Sequence, residues 1–124
     1  MRDRPQGQEL KDLARRARRG DPALLLPDDA RYRDAMVKRA ETIATRQGET
    51  GDGPERRERD ALARLLGEDG DLAALNRALA DAVRVGCFDP GAPAAAACYG
   101  HLWETALERV RESNPKVLIA LGLE

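Results

Sequence analysis

The sequence has 124 residues, of which 35% are charged and only four are aromatic, and its formal net charge at pH 7 is −1. This length is typical of one domain, and the near-neutral charge excludes the strongly basic balance of most DNA-binding domains. No apolar run approaches the roughly 18 residues of a membrane helix, so we expect no membrane partner. Residues 1–5 are polar and lead into no apolar segment, which favours a cytoplasmic protein without a signal peptide.

Two helices are predicted in the first half of the chain, after a start at residues 1–7 that we expect to be disordered. The first covers residues 8–19, ends at Gly20 and carries an apolar stripe at helical spacing, made of Leu10, Leu13, Ala14 and Ala17. The second covers residues 29–47, with Asp28 or Asp29 as its cap. Its expected apolar face consists of Tyr32, Met36, Val37, Ala40, Ile43 and Ala44.

Three further helices are predicted at residues 54–66, 72–85 and 92–113, after a flexible glycine-rich segment at residues 48–53. Pro54 suits the first position of a helix and Asp71 suits a cap. The last of these helices has an apolar face that we expect to be buried, made of Tyr99, Leu102, Trp103, Ala106, Leu107 and Val110. The apolar tail at residues 117–121 is expected to pack on the helices or against another chain.

No segment alternates in polarity as a strand does, and no internal repeat is visible. One-sided helices joined by short loops must share a core. We therefore expect an all-α protein, with about five helices in a compact antiparallel or partly orthogonal bundle and no sheet. Residues 8–124 are expected to form one domain.

Two patterns invite a metal or catalytic interpretation. The acidic turn that begins at Asp69 fails as a calcium loop, because its fifth and sixth positions are Ala73 and Ala74. The spacing Cys98-x-x-His101-x-x-Glu104 is that of half a metal site, or of a nucleophilic pair. His101 falls opposite the apolar face of its helix, so we expect a solvated acidic face, with no catalytic residues, no metal and no cofactor. If the chain is an enzyme, His101 and Glu104 are its candidate catalytic residues.

A basic cluster on the first helix is the clearest electrostatic feature of the chain. It could hold phosphates or an acidic protein surface, and it consists of Lys11, Arg15, Arg16, Arg18 and Arg19. Glu9 and Asp12 share that helix, and no aromatic side chains interleave for base stacking. We therefore favour a charged outer face over a nucleic-acid site.

Four polar residues beside apolar stripes are candidates for binding a carboxylate or phosphate: Tyr32, Arg33, Arg39 and Asn76. For Arg39 and Asn76 a structural role is the favoured alternative. Arg39 could pair with a carboxylate of a neighbouring helix, and Asn76 could satisfy a loop carbonyl.

Two segments together resemble a small uncharacterised bacterial family. The resemblance covers about residues 24–118 and is carried by Leu26-Pro27, Arg31-Tyr32, Met36-Val37, residues 40–46, Leu65-Leu66-Gly67, Gly70-Asp71-Leu72, Leu75-Asn76 and Asn114-Pro115. Genes of that family lie near acyl-CoA dehydrogenases and kinase-like phosphotransferases of the aminoglycoside-phosphotransferase type. The resemblance implies an accessory role beside such enzymes and brings no catalytic residues with it.

These observations favour a non-catalytic accessory or interaction module whose partner is another protein or a second copy of the chain. A helical bundle that binds a small molecule, such as an acyl-CoA or another carboxylate or phosphate, is the first alternative. A nucleic-acid-binding regulator acting through the cluster at residues 15–19 is the second.

Overall fold

The computed structural model describes all residues 1–124 and contains six α-helices and no strand. The helices are α1 (Gly7–Arg18), α2 (Ala30–Thr50), α3 (Gly53–Leu66), α4 (Leu72–Arg84), α5 (Ala95–Ser113) and α6 (Pro115–Ala120). The predicted all-α class without a sheet is confirmed. The sixth helix is the apolar tail, which forms a little more than one turn after Asn114. None of the helices combines the length and apolar character needed to cross a membrane.

The predicted helix caps are found where side chains can satisfy free backbone N–H groups. Asp29 accepts a hydrogen bond of 3.0 Å from the backbone of Tyr32, and Asp71 accepts one of 2.8 Å from the backbone of Ala74. The predicted end of the second helix at residue 47 is wrong, because α2 continues to Thr50. The flexibility of residues 48–53 stays a prediction. Gly51, at φ +63°, ends that helix, and its N–H bonds the carbonyl of Gln47.

Backbone contacts divide the chain into two compact units, which we describe one at a time. The amino-terminal unit comprises residues 2–51, and the carboxy-terminal unit comprises Met1 with residues 52–124. The single domain over residues 8–124 and the disordered start at residues 1–7 stay predictions.

In the amino-terminal unit, α1 packs on α2 through small side chains. Ala14 of α1 and Ala44 of α2 are buried, which confirms the predicted stripe of α1. Gln47 is also buried, and its Oε1 accepts a hydrogen bond of 2.7 Å from the backbone of Gly7. The buried face of α2 is displaced from the predicted one: Val37, Ala44 and Gln47 are buried, whereas Tyr32 and Met36 are exposed.

The core of the carboxy-terminal unit lies between α3, α4 and α5. It is formed by Leu62, Leu75, Leu79 and Cys98. Phe88, in the loop between α4 and α5, packs against it. Helical spacing in the sequence predicts an apolar face for α3, made of Ala61, Leu62, Leu65 and Leu66, and one for α4, made of Leu72, Leu75, Leu79, Ala82 and Val83. All of these side chains are buried or half-buried except Val83, which is exposed. Leu118 is the buried residue of α6.

The predicted orientation of α5 is wrong. Most of its apolar face is exposed, with 68% of Tyr99, 49% of Leu102 and 44% of Trp103 accessible to solvent, whereas Cys98 and Glu112 are buried. Leu107 and Val110, the other large side chains of the predicted face, are half-buried. Part of the polar side of α5 is turned towards the protein. Arg57 of α3 donates to Glu108 at 3.1 Å, and Arg111 of α5 itself donates to Glu108 and to Glu124.

Candidate functional site

A groove between α1 and α2 brings together three cations of the predicted basic cluster. Its volume is about 280 Å³, and its walls are Lys11, Arg15, Arg18, Glu41 and Thr45. The three basic residues recur at i, i+4 and i+7 on α1 and so share one helix face. Glu41 and Thr45 lie one turn apart on α2 and form the opposite wall. The groove therefore belongs wholly to the amino-terminal unit.

Arg18 and Glu41 close the groove with a two-pronged ion pair. Arg18 donates from Nε to Oε1 at 2.7 Å and from Nη2 to Oε2 at 2.6 Å. These hydrogen bonds are the main reason why the pKa of Glu41 is lowered and that of Arg18 is raised. Because both side chains are solvent-accessible, the effect of the pair is to fix the orientation of the guanidinium rather than to stabilise the fold.

The other two cations of the groove, Lys11 and Arg15, form fewer side-chain hydrogen bonds within the protein than Arg18 does. Lys11 is half-buried and forms no ion pair in the structure. Arg15 donates from Nη1 to Asp12 at 3.0 Å, a contact along its own helix. Three cations and one carboxylate give the walls a formal charge of +2. The arrangement is chemically suited to an anion.

The remaining two members of the predicted cluster lie outside the groove. Arg16 donates from Nε to Asp21 at 2.7 Å, and this hydrogen bond is the largest cause of the lowered pKa of that carboxyl. Arg19 is exposed and follows the last residue of α1. The basic cluster is therefore divided: Lys11, Arg15 and Arg18 line the groove, and Arg16 and Arg19 lie outside it.

The predicted binding residues of α2 are spread along that helix. Tyr32 and Arg39 are exposed, and Arg33 is half-buried with its Nη1 3.4 Å from the carbonyl of Pro27. Asn76, the fourth of these residues, belongs to the carboxy-terminal unit. The assignment of the four as ligand-binding residues stays a prediction.

Asn76 takes part in a polar cluster that also includes Glu58. Its Nδ2 donates to Glu58 Oε1 at 3.0 Å and to the carbonyl of Leu72 at 2.9 Å. The Glu58 side chain is only 7% exposed and also accepts from the amino-terminal ammonium. Sequence reasoning missed Glu58, although one signal was present: it lies one turn before Leu62, on the apolar stripe of α3.

His101 lies near this cluster and not on a solvated face, so that prediction is wrong. It is half-buried, and its pKa is lowered chiefly by burial, with Glu58 acting in the opposite direction. Burial also raises the pKa of the Cys98 thiol, one turn away. Both shifts favour neutral side chains, the reverse of a thiolate–imidazolium pair. Glu104 is exposed, and no three His, Cys, Asp or Glu side chains form a cluster that could hold a metal.

Comparison with known proteins gives one result. A family model described as "Domain of unknown function (DUF6285)" matches residues 22–117. No curated protein and no solved structure matches the chain significantly. The matched residues include the whole of α2, α3, α4 and α5, and they exclude α1 with its three groove cations.

Proposed function

This chain belongs to the DUF6285 family of unknown function, and we propose that it is a non-catalytic interaction module that pairs with a second copy of itself. Pairing occurs through one row of side chains, which we call the α5 face: Ala96, Tyr99, Leu102, Trp103 and Ala106. The exposure of Tyr99 and Trp103 on this row is the observation that carries the proposal.

The composition of the α5 face supports a protein partner. Tyr and Trp are the side chains that most often dominate the binding energy of protein interfaces, especially when they lie at the centre of the contact. Here they lie one helical turn apart, and Leu102 adjoins them. No charged side chain lies between them on this row. Covering these groups removes apolar area from water, which favours association.

The spacing of the α5 face supports a second copy as that partner. If two α5 helices cross in antiparallel fashion, Tyr99 of one lies opposite Trp103 of the other, and the reverse contact follows by symmetry. Ala96 then lies opposite Ala106 at both ends of the contact, where small side chains allow the helices to approach. A two-fold interface needs such a self-complementary patch.

The surroundings of Cys98, His101 and Glu104, the candidate catalytic residues, support a non-catalytic role. Burial raises the pKa of the Cys98 thiol and lowers the pKa of the His101 imidazole, which favours their neutral forms, and Glu104 is exposed. We further propose that the paired chain is a bacterial cytoplasmic accessory protein for an acyl-CoA dehydrogenase or a kinase-like phosphotransferase. This second step rests on the family resemblance of the sequence.

Sedimentation velocity over a range of protein concentrations tests the pairing. We expect a monomer–dimer equilibrium for the unaltered chain, and monomer at every concentration for Tyr99→Glu and for Trp103→Glu. Leu25→Glu is the matched control, because it places the same charge at a fully exposed leucine of the amino-terminal unit. A wild-type chain that stays monomeric, or a Trp103→Glu variant that still dimerises, would contradict the proposal.

The accessory role is tested separately, with purified enzyme of each class as the probe. We expect the dimeric chain to co-sediment with one of the two enzymes. Dimerisation without binding of either enzyme would remove the accessory role and leave the pairing intact.

A further inference from the structure

We propose that the α1–α2 groove is a binding site for a small phosphate-bearing molecule. This inference is independent of the α5 face, because the groove lies in the amino-terminal unit and the α5 face lies in the carboxy-terminal unit. It adds a ligand-binding activity to the interaction module.

The charge of the groove matches this class of ligand. Lys11, Arg15 and Arg18 contribute three positive charges, and Glu41 contributes one negative charge. A phosphate monoester carries about −1.5 to −2 at pH 7, so its charge nearly balances that of the walls.

The donors of the groove are also arranged in advance. Glu41 engages Nε and Nη2 of Arg18, which fixes the plane of the guanidinium and leaves Nη1 without a bond to Glu41. Arg15 contacts Asp12 through Nη1, so its Nε and Nη2 are not used in that contact. Lys11 adds an ammonium and Thr45 a hydroxyl. A side chain that is already oriented loses less entropy when a phosphate binds.

The size and the sign pattern of the groove favour a small molecule over a polymer. The groove is open to solvent, and its lining is confined to two turns of α1 and about one turn of α2, a span that suits one or two phosphate groups. Glu41 would repel the successive phosphates of a nucleic-acid backbone. Arg16, which a polymer would also need, points into an ion pair with Asp21 outside the groove.

Isothermal titration calorimetry at low salt, with inorganic phosphate and pyrophosphate as probes, tests the site on the full chain. We expect saturable binding of at least one probe. We expect the double variant Lys11→Gln/Arg15→Gln to bind at least about tenfold more weakly, because it removes two charge-assisted contacts. Arg19→Gln and Lys38→Gln are matched controls, since both remove an exposed cation of the same unit, and they should leave the affinity within about twofold.

Two further measurements keep the result unambiguous. Far-ultraviolet circular dichroism verifies that the double variant remains helical. The nearly isosteric substitution Thr45→Val removes the hydroxyl from the opposite wall of the groove and should also weaken binding. Fluorescence anisotropy with a single-stranded oligonucleotide tests the polymer alternative. Absence of binding by both phosphate probes overturns the inference. The inference is also overturned if Arg19→Gln weakens phosphate binding as much as the double variant does, or if the oligonucleotide binds more tightly than pyrophosphate.

Discussion

Asn76 donates a hydrogen bond of 3.0 Å to Glu58, and so links α4 to a carboxylate that lies on the apolar stripe of α3. The same amide group donates to the carbonyl of Leu72, one turn earlier on its own helix. A largely buried carboxylate needs such donors, since an unpaired charge in this position would be expensive.

Removing the amide should therefore destabilise the chain. We expect Asn76→Ala to lower the free energy of unfolding by about 1–3 kcal/mol, as for other hydrogen bonds to a shielded charged group. Urea denaturation followed by circular dichroism measures this change. Arg77→Ala, at the exposed neighbouring position, is the control and should change stability by less than about 0.5 kcal/mol. Equal effects of the two substitutions would show that the bond to Glu58 has no stabilising role.

The half-buried position of His101 predicts a pH dependence of stability. Its pKa in the folded chain is lowered by burial, by the Met1 ammonium and by Arg109, and is raised in part by Glu58. The unfolded chain therefore binds more protons than the folded chain below the ordinary histidine pKa of about 6.5. We expect the free energy of unfolding to fall as the pH decreases through and below that value.

The test is a series of urea denaturations between neutral and mildly acidic pH. His101 is the only histidine of the chain, so His101→Gln should remove the part of the decrease that lies above the titration range of the carboxylates. If the variant retains the whole decrease, another group is responsible.

The two cysteines should differ sharply in reactivity. Cys87 is exposed, whereas Cys98 is buried in the core and has a raised pKa. We expect one thiol of the native chain to react rapidly with an aromatic disulfide reagent and the second to react only after denaturation. Cys87→Ser should abolish the rapid phase, and Cys98→Ser should leave it unchanged. Two rapid thiols in the native chain would be inconsistent with the described core.

Leu62 should be among the most sensitive apolar positions, because it is completely buried in the core that α3 forms with α4 and α5. We expect Leu62→Ala to cost about 2–5 kcal/mol, the usual range for a buried leucine whose loss leaves a cavity. Leu25→Ala makes the same chemical change at a fully exposed position and should have almost no effect. Chemical denaturation of both variants gives the comparison.

Several elements of the fold could be predicted because their signals are local. The caps Asp29 and Asp71 act within one turn, and the stripes of α3 and α4 follow from helical periodicity. For α5 the same periodicity found the apolar face and assigned it to the wrong side. Which face is covered depends on the neighbouring helices, one of which, α3, provides Arg57 as a partner for Glu108.

The candidate site was predictable to a similar extent. The spacing of Lys11, Arg15 and Arg18 places them on one face of α1, so the cluster is visible in the sequence. Glu41 is 23 residues beyond Arg18, and its role depends on how α1 crosses α2, which no local pattern encodes. The concave shape of this surface is equally a product of that crossing.

Trp103 is the only tryptophan of the chain and lies on the α5 face, so its fluorescence reports directly on the proposed pairing. The decisive measurement is its emission maximum and its quenching by acrylamide as the protein is diluted. At high protein concentration we predict emission at shorter wavelength and protection of Trp103 from acrylamide, with a shift to longer wavelength on dilution. For Tyr99→Glu we predict the spectrum of a solvent-exposed tryptophan at every concentration. An emission spectrum that is independent of concentration, with Trp103 open to the quencher throughout, would contradict pairing through α5.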